Sequence, residues 1–257
     1  MKRITGLLAL GVVLAAPSMA FAEPQSGFYV TPKIMYGLTH MRGMEASGYF
    51  DNGSAYPFSN KRSKTDSAFG GALAVGYDFN KKQQVPVRAE LEYSIFSEIS
   101  AKNSWGGVDT HPAYPPGDVY NFSVQQKLQI QTLFVNAYHD FHNSTAFTPY
   151  VGAGLGLAFI NSKGHFNLES ESYPTLENAA FSLGSKRSTN FAWNIGVGGA
   201  YAINDKVSLD FGYRLAGLGK AETKSTLGND LYGDVWIAKS KSNVYMHQLM
   251  VGARVKF

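Results

Sequence analysis

Two-residue alternation, repeated in eight separate stretches, is the feature that most constrains this chain. The last one, Val244–Phe257 (VYMHQLMVGARVKF), is representative. Tyr245, His247, Leu249, Val251, Ala253, Val255 and Phe257 fall on one face; Met246, Gln248, Met250, Gly252, Arg254 and Lys256 fall on the other. Period two is the signature of a strand, since successive side chains leave a pleated backbone on opposite sides. A strand at the end of a chain, with cations on one face, needs neighbours on both edges, and closure into a barrel supplies them.

Seven earlier stretches repeat the pattern. They are 27–38, 67–79, 85–96, a segment within 124–141, 149–160, 190–202 and 207–216. In the fourth, Leu133, Val135 and Ala137 point outward if Phe134, Asn136, Tyr138 and Asp140 point inward; the glutamines before them suit neither face. Pro32 interrupts the first, because proline cannot donate to a ladder. Tight polar turns follow the second, fourth and sixth strands. Long polar stretches, 39–66, 97–123, 161–189 and 217–243, follow the others and read as loops, the second carrying the run Pro112–Pro116.

The chemistry of the two faces selects the class. One face carries Val, Leu, Ile, Phe and Tyr; the other carries Gly, Ala, Asn and the charged Lys33, Arg88, Glu90, Glu92, Asp210, Arg214 and Arg254. Eight strands enclose a bore only wide enough for side chains. Rows of aromatics would overfill it, whereas glycine and alanine with a few long charged chains fit. An apolar exterior of that extent aggregates in water and is the required surface in a bilayer. Each stretch is long enough for the ~9–11 residues of a tilted transmembrane strand. The prediction is an all-β fold: an eight-stranded antiparallel up-and-down transmembrane β-barrel with four long extracellular loops and short periplasmic turns. Inside it, the seven charged residues are expected to form a salt-bridged network, with Arg88, Arg214 and Arg254 against Glu90, Glu92 and Asp210.

The start of the chain accords with export. Lys2 and Arg3 precede the apolar run 7–16, and Ala20 and Ala22 supply an A-x-A site, so residues 1–22 read as a signal peptide and 23–257 as the barrel. Lys2 and Arg3 account for two of the +4 formal charges, and the small remainder gives no reason to expect nucleic acid as a partner. The absence of cysteine excludes disulfides and thiolate metal sites.

Candidate chemistry is sparse. Gly152–Gly156 lacks the spacing and following helix of a nucleotide-binding turn. His139 and His142 have no third ligand nearby, and Ser144 lies in a turn with no nucleophile motif. No catalytic residue, metal or cofactor is expected. Trp105, Tyr114 and Trp236 are candidate contact residues of the loops. Lys220, Lys224, Lys239 and Lys241 read as a solvated face with a possible affinity for anionic lipopolysaccharide.

The segments 70–79, 85–96, 133–141, 147–160 and 193–215 resemble the opacity-protein family of surface antigens, within the wider group of eight-stranded outer-membrane barrels. The resemblance spans the strands and none of the loops. It implies the outer membrane of a Gram-negative bacterium, contact with outer-membrane lipid and lipopolysaccharide, and loops that carry an adhesive or antigenic function, with host surface components among the partners to be expected. It also implies that the terminal Phe257 is read by the barrel-assembly machinery. The alternatives are a narrow channel for small solutes and, third, a lipid A-modifying enzyme. Deleting Phe257 should lower the amount of protein assembled in the outer membrane, measured by membrane fractionation; normal levels would remove its role as an assembly signal.

Overall fold

A computed structural model of the chain describes residues 27–50, 55–108, 119–170, 179–229 and 235–257. The expected signal peptide, 1–22, lies outside the described residues. The strands are β1 Phe28–Phe50, β2 Ala55–Asp78, β3 Val87–Phe96, β4 Ile99–Val108, β5 Val119–Asp140, β6 Phe147–Ser170, β7 Ala179–Ala202, β8 Val207–Asn229 and β9 Val235–Lys256. One helical turn, α1 Asn80–Gln83, sits in the connection after β2 and ends at Gln84 in the left-handed region (φ 56°).

Strands β3 and β4 are two parts of one barrel strand. Both pair with β5, Ile95 opposite Gln131 and Ile99 opposite Leu128, with Ser97 and Glu98 bulged between them. The wall is therefore eight-stranded and antiparallel, as the alternation predicts. It closes where β1 pairs with β9, Tyr29 opposite Lys256 and Ile34 opposite Val251. The Phe257 amide continues that seam, donating to the Phe28 carbonyl at 3.0 Å. Pro32 is accommodated within β1 opposite Leu73 of β2.

The inward and outward faces agree with the alternation in every strand. The outer belt is apolar and bare, with Phe69 69% and Phe191 65% exposed. Such exposure suits lipid and not water.

The four long segments differ from the expectation. They are largely strand: β1 and β2 pair as far as Tyr49 opposite Ala55, and β6 and β7 as far as Leu168 opposite Ala179. Their periodicity escapes a search for outward apolar residues because its phase reverses. Along β5, Leu133 and Val135 face lipid, but farther on Leu128 and Ile130 are buried inside while Lys127 and Gln129 face out. Beyond the bilayer the outside is water, so the apolar side chains turn inward.

The emergent part divides. Among the described residues, no backbone pairing joins β2 to β4, nor β7 beyond Trp193 to β8 beyond Gly217. Side chains bridge these seams: the Asp66 carboxylate accepts from the Ser100 amide at 2.8 Å, and Asn190 donates to the Leu218 and Lys220 carbonyls at 3.1 and 2.9 Å. The result is two four-stranded blades, β8-β9-β1-β2 and β4-β5-β6-β7.

Glycine is required where the bore is most crowded. A Cβ on Gly154 would overlap Asn136 Oδ1 and come within 2.6 Å of Asn194 Nδ2, the two atoms that hydrogen-bond each other at 2.9 Å. Gly154→Val should cost about 1–3 kcal/mol through overpacking, read as a lowered urea midpoint of the micelle-embedded barrel.

Candidate functional site in the barrel interior and the emergent blades

The bore has two tiers. Toward the short turns it is ionic. Lys33 Nζ lies 2.8 Å from Glu90 Oε2 and 2.6 Å from Glu92 Oε2. From the opposite wall, Arg214 Nη2 donates to Glu92 Oε1 at 2.7 Å while its Nε donates to Gln248 at 2.5 Å. Arg88 Nε donates to Asp140 Oδ2 at 2.6 Å, and its Nη1 lies 3.4 Å from Glu90 Oε1. Arg254 Nη2 and Asp210 Oδ1 form a separate pair at 2.5 Å.

All seven charged residues singled out from the sequence line this tier, and the structure adds Asp140. Its inward parity on β5 was visible; its partnership with Arg88 was not, because their hydrogen bond depends on β3 lying beside β5. Four cations then face four carboxylates, so the tier is electrically balanced without a bound counterion. Burial of such charges is tolerable only when each is paired and hydrogen-bonded.

Aromatic rings fill the gaps. The Arg88 guanidinium lies 4.7 Å from the Tyr138 ring centroid and 4.9 Å from that of Tyr150. Arg254 lies 5.2 Å from the Tyr29 ring, and the Tyr29 hydroxyl donates to Glu90 at 3.0 Å. These tyrosines were also missed, although each has inward parity. Their rings need room, and Gly76, against which the Tyr29 ring lies, provides it.

Above the ions the bore is mainly apolar, with buried polar pairs such as Ser94–Thr132 and Gln126–Ser162 set among the apolar side chains. Met35, Met41, Phe96, Ile99, Leu128, Ile130, Phe134, Ile160, Leu218, Val244 and Met246 belong to one buried cluster. The cavity bordered by Lys33, Arg88, Tyr138, Tyr150 and Asp210 has a volume of about 10 Å³, room for one water. A solute path would have to displace both tiers.

The remaining candidates form no shared site. Gly152, Gly154 and Gly156 lie on the inner face of β6, beside Tyr138, Asn136 and Leu133. The His139 ring packs on Phe141 at 4.9 Å, and His142 Nε2 lies 3.3 Å from Asn80 Nδ2. Among the described residues, no group of His, Asp and Glu could hold a metal. Trp105 lies on β4 opposite Phe122 and Trp236 on β9 opposite Phe50. Their side chains, and the whole of Tyr114, lie outside the described residues. Lys220 and Lys224 are on β8, Lys239 and Lys241 on β9, so the expected loop lysines stand on strands.

A closed eight-stranded wall, a lipid-facing belt and a filled bore describe an outer-membrane barrel. Residues 6–257 match the family described as "Outer membrane protein beta-barrel domain". The chain belongs to this outer-membrane barrel family. It is 33% identical to the outer membrane protein PagN of Salmonella typhimurium, over 96% of this chain and 97% of that protein. A candidate adhesin of Rickettsia conorii is 26% identical over 79% of this chain and 74% of its own length. Among solved structures, the outer membrane protein OprG of Pseudomonas aeruginosa aligns over 91% of this chain and 97% of its own, with 14% identity and a TM-score of 0.47. The family membership is broader than the opacity proteins whose strands these segments resemble. The barrel is thus a multi-pass protein of a Gram-negative outer membrane.

Glu92 is the joint of the ionic tier, since it binds both Lys33 and Arg214. Glu92→Ala should leave two buried cations undercompensated and destabilise the barrel by about 3–5 kcal/mol. Heat-modifiability on gels and urea unfolding in micelles measure this; unchanged stability would deny the network a structural role.

Proposed function

We propose that this protein is a surface-interaction protein, an adhesin, in which a sealed barrel holds two β-blades out from the membrane. One observation carries the reading: the strands continue as paired structure well past the lipid-facing belt, over a bore packed with ions and then with apolar side chains. Such a molecule offers its surroundings a stiff projecting surface and no passage. Two Rickettsia relatives are named as candidate adhesins, which supports the same reading. The opacity proteins are the narrower family resemblance that fits this role.

On this reading the partners are host surface components, with Trp105, Tyr114 and Trp236 as contact candidates. Aromatic side chains offer large contact area at small entropic cost. The ionic tier serves rigidity, residues 1–22 serve export, and Phe257 serves the barrel-assembly machinery.

Replacing 43–62 and 164–183 by short turns shortens one hairpin in each blade and leaves the lipid-facing belt intact. Cells carrying that variant should adhere less to host cells at equal surface levels, measured by flow cytometry; equal adhesion would overturn the reading. The intact protein in planar bilayers should show no single-channel conductance, and steady conductance would favour the channel instead.

A further inference from the structure

Where the wall splits, β4 is left with an open edge. It pairs with β5 without a break, from Ile99 opposite Leu128 to Val108 opposite Val119, and it ends the order of strands on that side. The Ser100 amide points across the seam, since it donates to Asp66 of β2. In an antiparallel ladder, successive residues direct their backbone groups to opposite edges. The N–H and C=O groups of Lys102, Ser104, Gly106 and Val108 therefore point the same way as those of Ser100. Among the described residues no strand receives them. At about 3.4 Å per residue the edge runs for roughly 20 Å.

Open edges invite strand pairing, and proteins blunt them with charge, proline or bulges. The other three seam edges carry such devices. β2 contains Pro57, Lys61, Arg62 and Lys64, and its register with β1 shifts twice. β7 contains Lys186 and Arg187, and its register with β6 shifts at Gly164. β8 contains Lys220, Glu222 and Lys224, and its register with β9 shifts twice, once around Gly219 in the left-handed region (φ 79°). A 3.0 Å salt bridge from Lys186 to Glu222 also spans the β7–β8 seam. Beyond Lys102, β4 reads Asn103–Val108 (NSWGGV), with no charge, no proline and no shift of register. Glycine in a strand lets another backbone approach closely. Of the four edges, β4 is the one left as a template for an added strand.

The surroundings set the chemistry of that strand. On the outer face Lys102 stands exposed at the foot of the edge. Across the seam, partly exposed Lys64 of β2 lies level with it, each two residues beyond the Asp66–Ser100 contact. Among the described residues neither lysine pairs with a carboxylate. Asp66 is engaged by the Ser67 and Ser100 amides, and Glu98 by Lys127 at 3.3 Å. On the inner face Ile99 and Ala101 are buried in the apolar cluster. Opposite charges on neighbouring strands attract, and apolar side chains on one face pack together. The matching strand is acidic on its outer face and apolar on its inner one.

We propose that the open edge of β4, from Lys102 to Val108, is a docking site for an extended peptide segment of alternating acidic and apolar residues, which joins the blade as an added strand. Backbone hydrogen bonds hold such a segment and its alternate side chains select it. The inference rests on the adhesive reading for its biological source, a host surface protein.

The test uses the full barrel in nanodiscs, with an acetylated decapeptide of alternating Glu and Val as the probe. In the free protein the Lys102, Ser104, Gly106 and Val108 amides should exchange with deuterium readily, while those of Ala101, Asn103, Trp105 and Gly107 are held by β5. The peptide should slow the first set roughly tenfold or more and leave the second unchanged. S104P removes one open-edge donor and spares the β5 ladder; it should weaken binding roughly five- to tenfold. K102Q should weaken it about two- to fivefold. Should S104P fail to fold, a fully N-methylated peptide makes the same test on wild type and should not bind. Slow exchange of the edge amides in the free protein, as when residues 109–118 of the chain itself cover them, would overturn the proposal. So would equal binding of the N-methylated peptide or of a Lys–Val counterpart, or displacement of the peptide by a sulfated oligosaccharide that protects the same amides. Cells bearing S104P should adhere to host cells less than wild type at equal surface levels. Equal adhesion by S104P, with the shortened-hairpin cells still impaired, would remove the edge site and leave the adhesive role standing. Normal adhesion by the shortened-hairpin cells, with the edge amides still protected by the peptide, would do the reverse.

Discussion

Lipid offers no hydrogen-bond partner to a backbone, and that constraint governs the whole barrel. Every strand that crosses hydrocarbon must have a neighbour on each edge. The β1–β9 seam, extended by the Phe257 amide, is where the chain meets that demand. Closure at eight strands then limits the bore to a side-chain-filled column. The small residues of the inner face follow from that width: Tyr29 is seated against Gly76, and the Asn136–Asn194 hydrogen bond crosses above Gly154.

One strand passes through two solvents, and its chemistry changes with them. Within the bilayer the outward positions of β5 are Leu133, Val135 and Ala137; above it they are Lys127 and Gln129, with Leu128 and Ile130 turned inward. The period stays at two while its phase reverses. This explains why the transmembrane parts were legible and the emergent parts were read as loops. The glutamines of β5, which fit neither face of a uniform pattern, mark the change. Gln126 points inward and donates to Ser162, whereas Gln131 stays outside and accepts from the Tyr93 hydroxyl.

The ionic tier was legible in outline for a similar reason. Parity alone put Lys33, Arg88, Glu90, Glu92, Asp210, Arg214 and Arg254 in the bore, because charges on a transmembrane strand cannot face lipid. Parity says nothing of height or of position around the wall. The pairing of Arg214 with Glu92 links residues 122 apart in sequence and crosses the column, so only the closed structure brings them together. The same holds for the opposed Lys127 and Lys163, which are unremarkable in two polar segments and conspicuous once β5 and β6 are in register.

By itself the sequence determined the strand count, the face each side chain takes in the membrane and seven of the eight charges admitted to the ionic tier. All three follow from a local period read against a known solvent. Only the tertiary structure decided how far the strands run beyond the membrane, where the wall splits into blades and which ions meet. Those depend on inter-strand register and closure, which are set by hydrogen bonds between residues far apart in the chain.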